Sequence, residues 1–356
     1  MKRFLASSLL VLPLCGAPAF AASTFVPSGA PYPNTSAMGV EVDSGEQWYQ
    51  QCVGVQDSAP PPQDLPPAKS GAALSRCVAP DLYYDALSAN GARADWETVR
   101  HCAFAQRDTG VLMMLYANGL GVPKNPKLAL KYACSLPSAQ AEMSGRVEHL
   151  VSRMLDNTAG RFDLCDDITS GRMQGECTAV GERQDAKVRN RDLAAIIKTW
   201  PPQHQTGLRE LQKTMDSFAI WRAQAEVDAG GTLAASFAID AKAAELALFI
   251  ADLRTAEKGK APGFSEAGFM QLDKQLNVLY QKIMERPPAG QGQADSDAIF
   301  GTVNKDGVRS VQRAWLAYRD AWVRFGALRY PAVKPWAWKA RLTERRIKQL
   351  AEFDVP

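Results

Sequence analysis

The sequence is poor in the residues from which catalytic and metal sites are most often built. Histidine occurs only three times in 356 residues, no two cysteines have the C-x-x-C spacing, and no cysteine follows Cys177. These absences argue against a zinc site and against a cysteine–histidine catalytic pair, so we expect no metal and no cofactor. After the N-terminus no segment approaches the ~18 consecutive apolar residues of a membrane span, and we expect none.

An excess of charge of one sign is also missing. Lysine and arginine total 41 and aspartate and glutamate total 38, which gives a formal net charge of +3. Removal of the N-terminal segment would lower that charge by two, because it contains Lys2 and Arg3. This near balance gives no reason to expect nucleic acid or a membrane surface as the main partner.

The N-terminus has the three parts of a secretory signal. Two basic residues are followed by an apolar run and then by the sequence A-F-A, which ends at Ala21. We expect residues 1–21 to be a signal peptide, cleaved after Ala21, and the protein to be periplasmic or secreted. A lipid anchor at Cys15 is the less favoured alternative, because the proline and leucine before it are not small.

Six cysteines remain after removal of the signal peptide, and all precede position 178. They are Cys52, Cys77, Cys102, Cys134, Cys165 and Cys177. An even number in an exported chain predicts three disulfides, although six cysteines allow about fifteen pairings. Our working hypothesis pairs sequence neighbours (52 with 77, 102 with 134, 165 with 177), because each bridge would then close one local unit.

Residues 22–79 are predicted to be a Pro-rich leader. Prolines at 60–62 and 66–67 cannot lie inside a helix, so most of this segment is expected to be extended. A short helix near Glu46 to Val53 is expected, because Trp48, Cys52 and Val53 have roughly helical spacing.

Residues 80–155 alternate short apolar helices with glycine turns. After a helix that ends near Tyr116, Gly119 and Gly121 allow a tight reversal, and Asn125 is expected to cap the return helix. Asp95 is expected to cap an earlier helix in the same way. This segment resembles a SEL-like repeat, a relative of the tetratricopeptide hairpin, and the resemblance implies an array of helical hairpins.

The densest aromatic segment lies near the C-terminus. Its large side chains follow the spacing four, three, four and three: Val311, Trp315, Tyr318, Trp322 and Phe325. This spacing places all five on one stripe of an α-helix.

The wording of this helix resembles a known family signature. The sequence Q-R-A-W-L-A-Y-R-D from Gln312, the D-x-x-L-N-x-x-Y element from Asp273 and the L-T-x-R element from Leu342 resemble the family named for the lysozyme inhibitor LprI. Trp322 stands where the family has a cysteine, so the usual disulfide is absent. The resemblance implies a helical module over residues 264–353.

A fainter copy of this module is expected over residues 161–256. Asp185-x-x-Val188 corresponds there to the element at Asp273, and Phe218-x-x-Trp221-Arg222 is aligned with Trp315-x-x-Tyr318-Arg319. The first copy has alanine at the positions of the family's aspartate and cysteine, so we expect its role to be structural. The resemblance thus implies two tandem LprI-like modules.

Five residues of the second module are candidates for binding: Gln312, Trp315, Tyr318, Arg319 and Asp320. Aromatic rings beside a guanidinium group and a carboxylate can bind a polar ligand or a loop of a partner. Burial is the alternative, in which the rings belong to the core and Arg319 joins two helices by pairing with Asp273 or Asp320.

Trp336 and Trp338 are further binding candidates. They lie between prolines and basic residues, so we expect them in a loop after the aromatic helix. Exposed rings in such a loop would bind a glycan or a protein, whereas buried rings would belong to the core, and the sequence leaves both open.

No catalytic residues are predicted. Asp163, Asp166 and Asp167 flank Cys165, and we expect them to cap the following helix. His149 has no serine or free cysteine nearby in the sequence that it could activate.

The sequence therefore predicts an all-α protein with a Pro-rich leader, a SEL-like hairpin array and two LprI-like modules. The predicted function is that of an exported, non-enzymatic binding protein with a protein partner in the cell envelope. Inhibition of lysozyme or of another wall-degrading enzyme is what the resemblance implies. Two alternatives remain open: a SEL-like scaffold and an unrecognised peptidoglycan hydrolase. The oligomeric state is not predicted.

Overall fold

The computed structural model describes residues 29–35, 42–68, 74, 76–88, 94–156, 160–260, 262–286 and 298–354. Within these ranges the chain forms twelve α-helices, one 3₁₀ turn and one small β-hairpin, so the all-α prediction is confirmed. Residues 1–21, with the predicted cleavage site and Cys15, lie outside the described ranges. No described helix is long and apolar enough to cross a membrane.

The helices are α1 (Gln47–Val53), α2 (Ala79–Ser88), α3 (Trp96–Gln106), α4 (Thr109–Asn118), α5 (Pro126–Ser135), α6 (Gln140–Asp156), α7 (Gly171–Ile197), α8 (Pro202–Ala225), α9 (Ala234–Glu257), α10 (Glu266–Glu285), α11 (Lys305–Arg329) and α12 (Pro335–Ala351). The 3₁₀ turn is Pro62–Asp64. The antiparallel hairpin consists of β1 (Ala298–Phe300) and β2 (Val303–Asn304).

Helices α1 to α6 surround one hydrophobic core, which we call the first core. Part of the predicted leader belongs to it, because Trp48 and Cys52 of α1 are fully buried. The segment before α1 is also attached, since the Asn34 amide donates to the Cys134 carbonyl at 2.8 Å and the Ser138 amide donates to the Asn34 carbonyl at 3.1 Å.

The disulfides only partly follow the expected pairing. Cys165 bonds Cys177 as predicted, but Cys52 bonds Cys134 and Cys77 bonds Cys102. The pairing of 52 with 77 and of 102 with 134 is therefore wrong. Its physical reason is that α1 packs against α5 and α6, which brings Cys52 next to the end of α5.

The turn chemistry of the first core follows the sequence. Asn125 accepts a hydrogen bond from the Leu128 amide and caps α5, and Asp95 caps α3 by accepting from the Thr98 amide. Gly121 has a φ of +68°, and a Cβ there would lie 2.6 Å from the Cβ of Trp96. Both the backbone conformation and the close approach require glycine.

The aspartates around Cys165 do not cap α7, contrary to expectation. The cap is Ser170, whose hydroxyl accepts from the Met173 amide. Asp163 instead accepts from the Tyr84 hydroxyl at 2.9 Å, and Asp167 lies 2.9 Å from His149 Nδ1. These contacts tie the connection between α6 and α7 to the first core.

Helix α7 links the first core to the second. Met173 at its start is buried in the first core, whereas Ile196 and Ile197 at its end pack against the second. Helix α2 packs on the outer side of α7, where Asp81 pairs with Arg183 at 2.7 Å. A second ion pair joins the next turns of the same two helices.

The second core lies among α8 to α12, the end of α7 and the hairpin. Helices α7 and α9 run parallel, because Thr178 bonds Ser236 near their starts and Asp192 pairs with Arg254 near their ends. Helix α8 lies between them in sequence and packs antiparallel on α9, because Trp200 before its start donates to Glu257, whereas Arg222 near its end lies beside Glu245. We call α7, α8 and α9 the first triplet.

Helices α10, α11 and α12 form a second triplet with the same geometry. Lys339 lies over the Phe269 ring and Lys282 pairs with Asp354, so α10 and α12 run parallel. Helix α11 packs antiparallel on α12, because Trp322 stacks on Trp338 while Gln312, earlier in α11, bonds Arg346, later in α12. It is also antiparallel to α8, whose Gly207 approaches Leu328 and whose Ala225 approaches Gly307. The two middle helices, α8 and α11, therefore face each other at the centre of the second core.

Candidate functional site

The aromatic stripe of α11 lies in the centre of the second core. All five of its large residues are buried: Val311, Trp315, Tyr318, Trp322 and Phe325. The predicted helix and its single face are thus confirmed. Tyr318 stacks on Phe218 of α8 with ring centroids 5.6 Å apart, so the stripe packs directly against the first triplet.

Hydrogen bonds and ring contacts fix the stripe in one arrangement. The indole N–H of Trp322 donates to the Tyr318 hydroxyl at 2.8 Å, and burial raises the pKa of Tyr318 above its ordinary value. The Trp322 ring stacks on Trp338 of α12 at 4.8 Å. A Cβ on Gly326 would lie 2.5 Å from the Trp338 indole nitrogen, so the close approach of α12 requires this glycine.

Arg319 joins α10 to α11 at the edge of the stripe. Its guanidinium lies 5.1 Å from the centroid of the Trp315 ring, 3.6 Å from Asp273 and 3.3 Å from Asp320. These contacts are those of the burial alternative, in which Arg319 connects two helices. The two carboxylates remain accessible, with side-chain exposures of 39% for Asp273 and 51% for Asp320.

Gln312 belongs to a buried polar network centred on Arg346. Its side-chain oxygen accepts from Arg346 Nε at 2.9 Å, and both terminal nitrogens of Arg346 donate to Glu226, one of them at 2.7 Å. Arg346 and Glu226 are almost completely buried. A buried charge needs such pairing, because desolvation of an unpaired ion costs several kcal/mol.

The network continues into α9. The Gln349 amide donates to Glu245 at 2.6 Å, and Arg222 lies 3.4 Å from the same carboxylate. Burial raises the pKa of Glu245, while Arg222 acts to lower it. Two turns further along α9, Arg345 donates two hydrogen bonds to Asp252. Polar groups of α8, α9, α11 and α12 thus meet inside the second core.

Trp336 and Trp338 do not lie in a loop, so that part of the sequence prediction is wrong. Helix α12 begins at Pro335, which occupies its first turn, where proline is tolerated because its missing N–H would have no helical partner. Trp338 is buried and Trp336 is half-buried. Of the seven predicted binding residues, Trp315, Tyr318 and Trp338 are therefore core residues, and Asp320 is the most exposed.

Sequence reasoning did not single out the acidic members of the network. Glu226, Glu245 and Asp252 come from the first triplet, and nothing in their local sequence indicates buried partners on α12. One sequence signal could have indicated them. Arg345 and Arg346 are adjacent in a helix whose other residues have the spacing of a buried face. Two adjacent arginines on such a helix indicate that acidic residues face it from elsewhere in the fold.

Neither of two cavities beside the helices of the second core contains a catalytic arrangement. A groove of about 520 Å³ along α10 has one carboxylate in its lining, Asp354, which pairs with Lys282 at 2.8 Å. A cavity of about 120 Å³ between α8 and α11 also has one, Glu210, which pairs with Lys213. Among the residues of known placement, no cluster of three His, Cys, Asp or Glu residues is suited to hold a metal ion.

Comparison with protein families places the resemblance on the second triplet. Residues 263–350, which include α10, the aromatic stripe and most of α12, match the family described as Lysozyme inhibitor LprI. No curated protein and no solved structure matches the chain. The second triplet is therefore similar to a family described as lysozyme inhibitors.

Proposed function

We propose that the protein is an exported, non-enzymatic binding protein of the cell envelope and that its second triplet inhibits lysozyme or another wall-degrading enzyme. The match of residues 263–350 to the LprI family carries this proposal. Three disulfides are consistent with a location outside the cytoplasm, where they persist. The family-like residues of α11 and α12 contribute a rigid core rather than a reaction.

The accessible edge at Asp273 and Asp320 is the proposed contact with the enzyme. Lysozymes are strongly basic, and an inhibitor of such an enzyme gains from exposed carboxylates held in a fixed position. Arg319 holds both carboxylates in place, and its guanidinium lies over the ring of Trp315. Among the predicted binding residues, Asp320 thus makes the contact, and Gln312, Tyr318 and Trp338 support the surface.

The direct test is titration of lysozyme with the purified mature chain during lysis of cell walls. The native protein should slow lysis, and Asp320→Lys should weaken inhibition about tenfold, because a favourable charge becomes a repulsive one. Asp240→Lys, an equal charge change on the exposed side of α9, is the matched control and should inhibit normally. Lysis that is unchanged at saturating native protein would remove the inhibitor function.

We further propose that the first triplet is a second module of the same kind. In both triplets the first and third helices run parallel and the middle helix packs antiparallel on the third. Its middle helix, α8, packs its aromatic face on α11, so the role assigned to it is support of the second triplet.

A SEL-like scaffold is the second candidate function, in which the hairpins of α2 to α6 capture an envelope protein. The observation that favours it is their separate core, closed by its own disulfides. Leu155 at the end of α6 is 80% exposed. Leu155→Glu should abolish capture of the envelope protein by this scaffold and leave lysozyme inhibition unchanged. The inhibitor function predicts instead that Asp320→Lys weakens lysozyme inhibition.

A further inference from the structure

The outer face of α10 carries lysines and exposed apolar side chains. Met270, Lys274, Val278 and Lys282 follow one another at intervals of four residues, which places them along one side of the helix. Met270 is 67% exposed and Val278 is 58% exposed. The groove of about 520 Å³ runs along this side and ends at Asp354.

The corresponding face of α7 shows how such a surface is covered in this molecule. Helix α2 lies across it with two aspartates one turn apart: Asp81 pairs with Arg183 at 2.7 Å and Asp85 pairs with Lys187 at 2.6 Å. Carboxylates four residues apart on one helix thus meet basic groups four residues apart on the other. The contact is an acidic helix on a basic helix face.

Helices α7 and α10 occupy the same place in their triplets. Each is the first helix and packs parallel to the third, with its opposite side directed away from the core. On α7 that side is covered by α2, whereas no helix of the described ranges covers it on α10. Lys274 makes no ion pair with any residue that the structure describes, and Lys282 is held at the edge of the groove by Asp354.

We propose that the outer face of α10 binds an acidic amphipathic helix of a partner protein. Its carboxylates pair with Lys274 and share Lys282 with Asp354, and its apolar residues cover Val278 and Met270. Charge complementarity selects this occupant, because the groove holds two lysines and one carboxylate, so the charge of Lys274 stays without an ion-pair partner after Asp354 has paired with Lys282. The site goes beyond the proposed inhibition, which uses the acidic edge at Asp320 and a basic partner.

The test uses the full mature chain and a labelled, alanine-based helical peptide. The peptide carries two aspartates eight residues apart, the spacing of Lys274 and Lys282, together with leucines on the same face. Fluorescence anisotropy should show saturable binding that weakens as salt is added, because the contact depends on exposed ion pairs. The double variant Lys274→Glu with Val278→Glu should bind the peptide at least about tenfold more weakly.

Two controls make the outcome decisive. Lys348→Glu removes an exposed lysine of α12 and should leave peptide affinity unchanged, and a peptide with asparagines in place of the aspartates should not bind. Absence of saturable binding by the native chain, or equal affinity of the double variant and Lys348→Glu, would overturn the proposal. Lysozyme inhibition, measured on the same samples, is expected to be equal in all of them, so the two functions fail separately.

Discussion

The two cores of this protein are held together by different means. The first core contains two buried or partly buried disulfides, Cys52–Cys134 and Cys77–Cys102, and its helices are short. No cysteine occurs in the second core, where long helices are joined by the aromatic stripe and by the network around Arg346. Covalent links restrict the unfolded chain, whereas the network acts in the folded state.

This difference bears on function. A domain that is held by disulfides can have an exposed and chemically variable surface, because the disulfides stabilise its fold without a large hydrophobic core. The network of the second core instead specifies one relative placement of α9, α11 and α12, since each buried charge is satisfied only in that arrangement. A fixed placement is what the proposed contact at Asp320 would need for recognition.

The largest expected effect comes from breaking the buried pair of the second core. Arg346→Met leaves Glu226 buried without its partner and should lower the free energy of unfolding by about 4 kcal/mol. Chemical denaturation measures the loss, and amide hydrogen exchange should locate it in α11 and α12 rather than in α4.

The matched control replaces both members of the pair. Arg346→Met with Glu226→Leu should recover much of the loss, because no unpaired charge then remains. Equal stability of the single variant and the native protein would show that the network does not hold the second core.

The next largest effect concerns the first core. Cys52→Ser with Cys134→Ser opens a loop with a sequence separation of 82 and should cost about 3 kcal/mol, mainly by freeing the unfolded chain. Hydrogen exchange should then accelerate in α4 and α5 while α11 keeps its protection. Equal acceleration in both regions would contradict the comparison, because it would mean that the two cores unfold as one.

Local features were predicted well from the sequence. The caps at Asn125 and Asp95, the reversal at Gly121 and the stripe of α11 each depend on residues close together in the chain. Such features follow from backbone conformation and helical periodicity alone.

Features that depend on distant contacts were not predicted. Cys52 pairs with Cys134 because α1 packs beside α5, which no local pattern around either cysteine indicates. Likewise, Glu226 and Arg346 are far apart in sequence and meet only through the packing of the two triplets. Pro335 was misread as a helix breaker, although at the first turn it starts α12.

The register between the triplets shows a further limit of sequence comparison. The buried positions of α8 and α11 have the same spacing: Leu208, Leu211, Met215 and Phe218 in one, and Val308, Val311, Trp315 and Tyr318 in the other. When these spacings are superposed, Phe218 is equivalent to Tyr318. The alignment by aromatic residues is shifted from this one by one helical turn. That alignment equates Trp221 with the buried Tyr318, yet Trp221 is 44% exposed.

A smaller effect is expected from the turn chemistry of the first core. Asn125→Ala removes the hydrogen bond that caps α5 and should lower the free energy of unfolding by about 1 kcal/mol. Asn125→Asp keeps an acceptor at the same position and should retain most of the stability. A loss of the same size in both variants would mean that the cap hydrogen bond is not the cause.

The smallest expected effect is a change in pH dependence within the second core. Burial raises the pKa of Glu245, so the folded protein binds this proton more tightly than the unfolded chain does. Stability therefore rises as the pH falls from neutral through the folded-state pKa, because the folded state takes up the proton first. Glu245→Gln removes this titration and should flatten that part of the profile.

Denaturation followed by tryptophan fluorescence, repeated across a series of pH values, measures this slope. Glu266→Gln, at the exposed start of α10, is the control and should keep the slope of the native protein. The first core should show no change in slope in either variant, because Glu245 contacts only groups of the second core among the described residues. An unchanged slope in Glu245→Gln would show that Arg222 and Gln349 compensate the burial of this carboxylate completely.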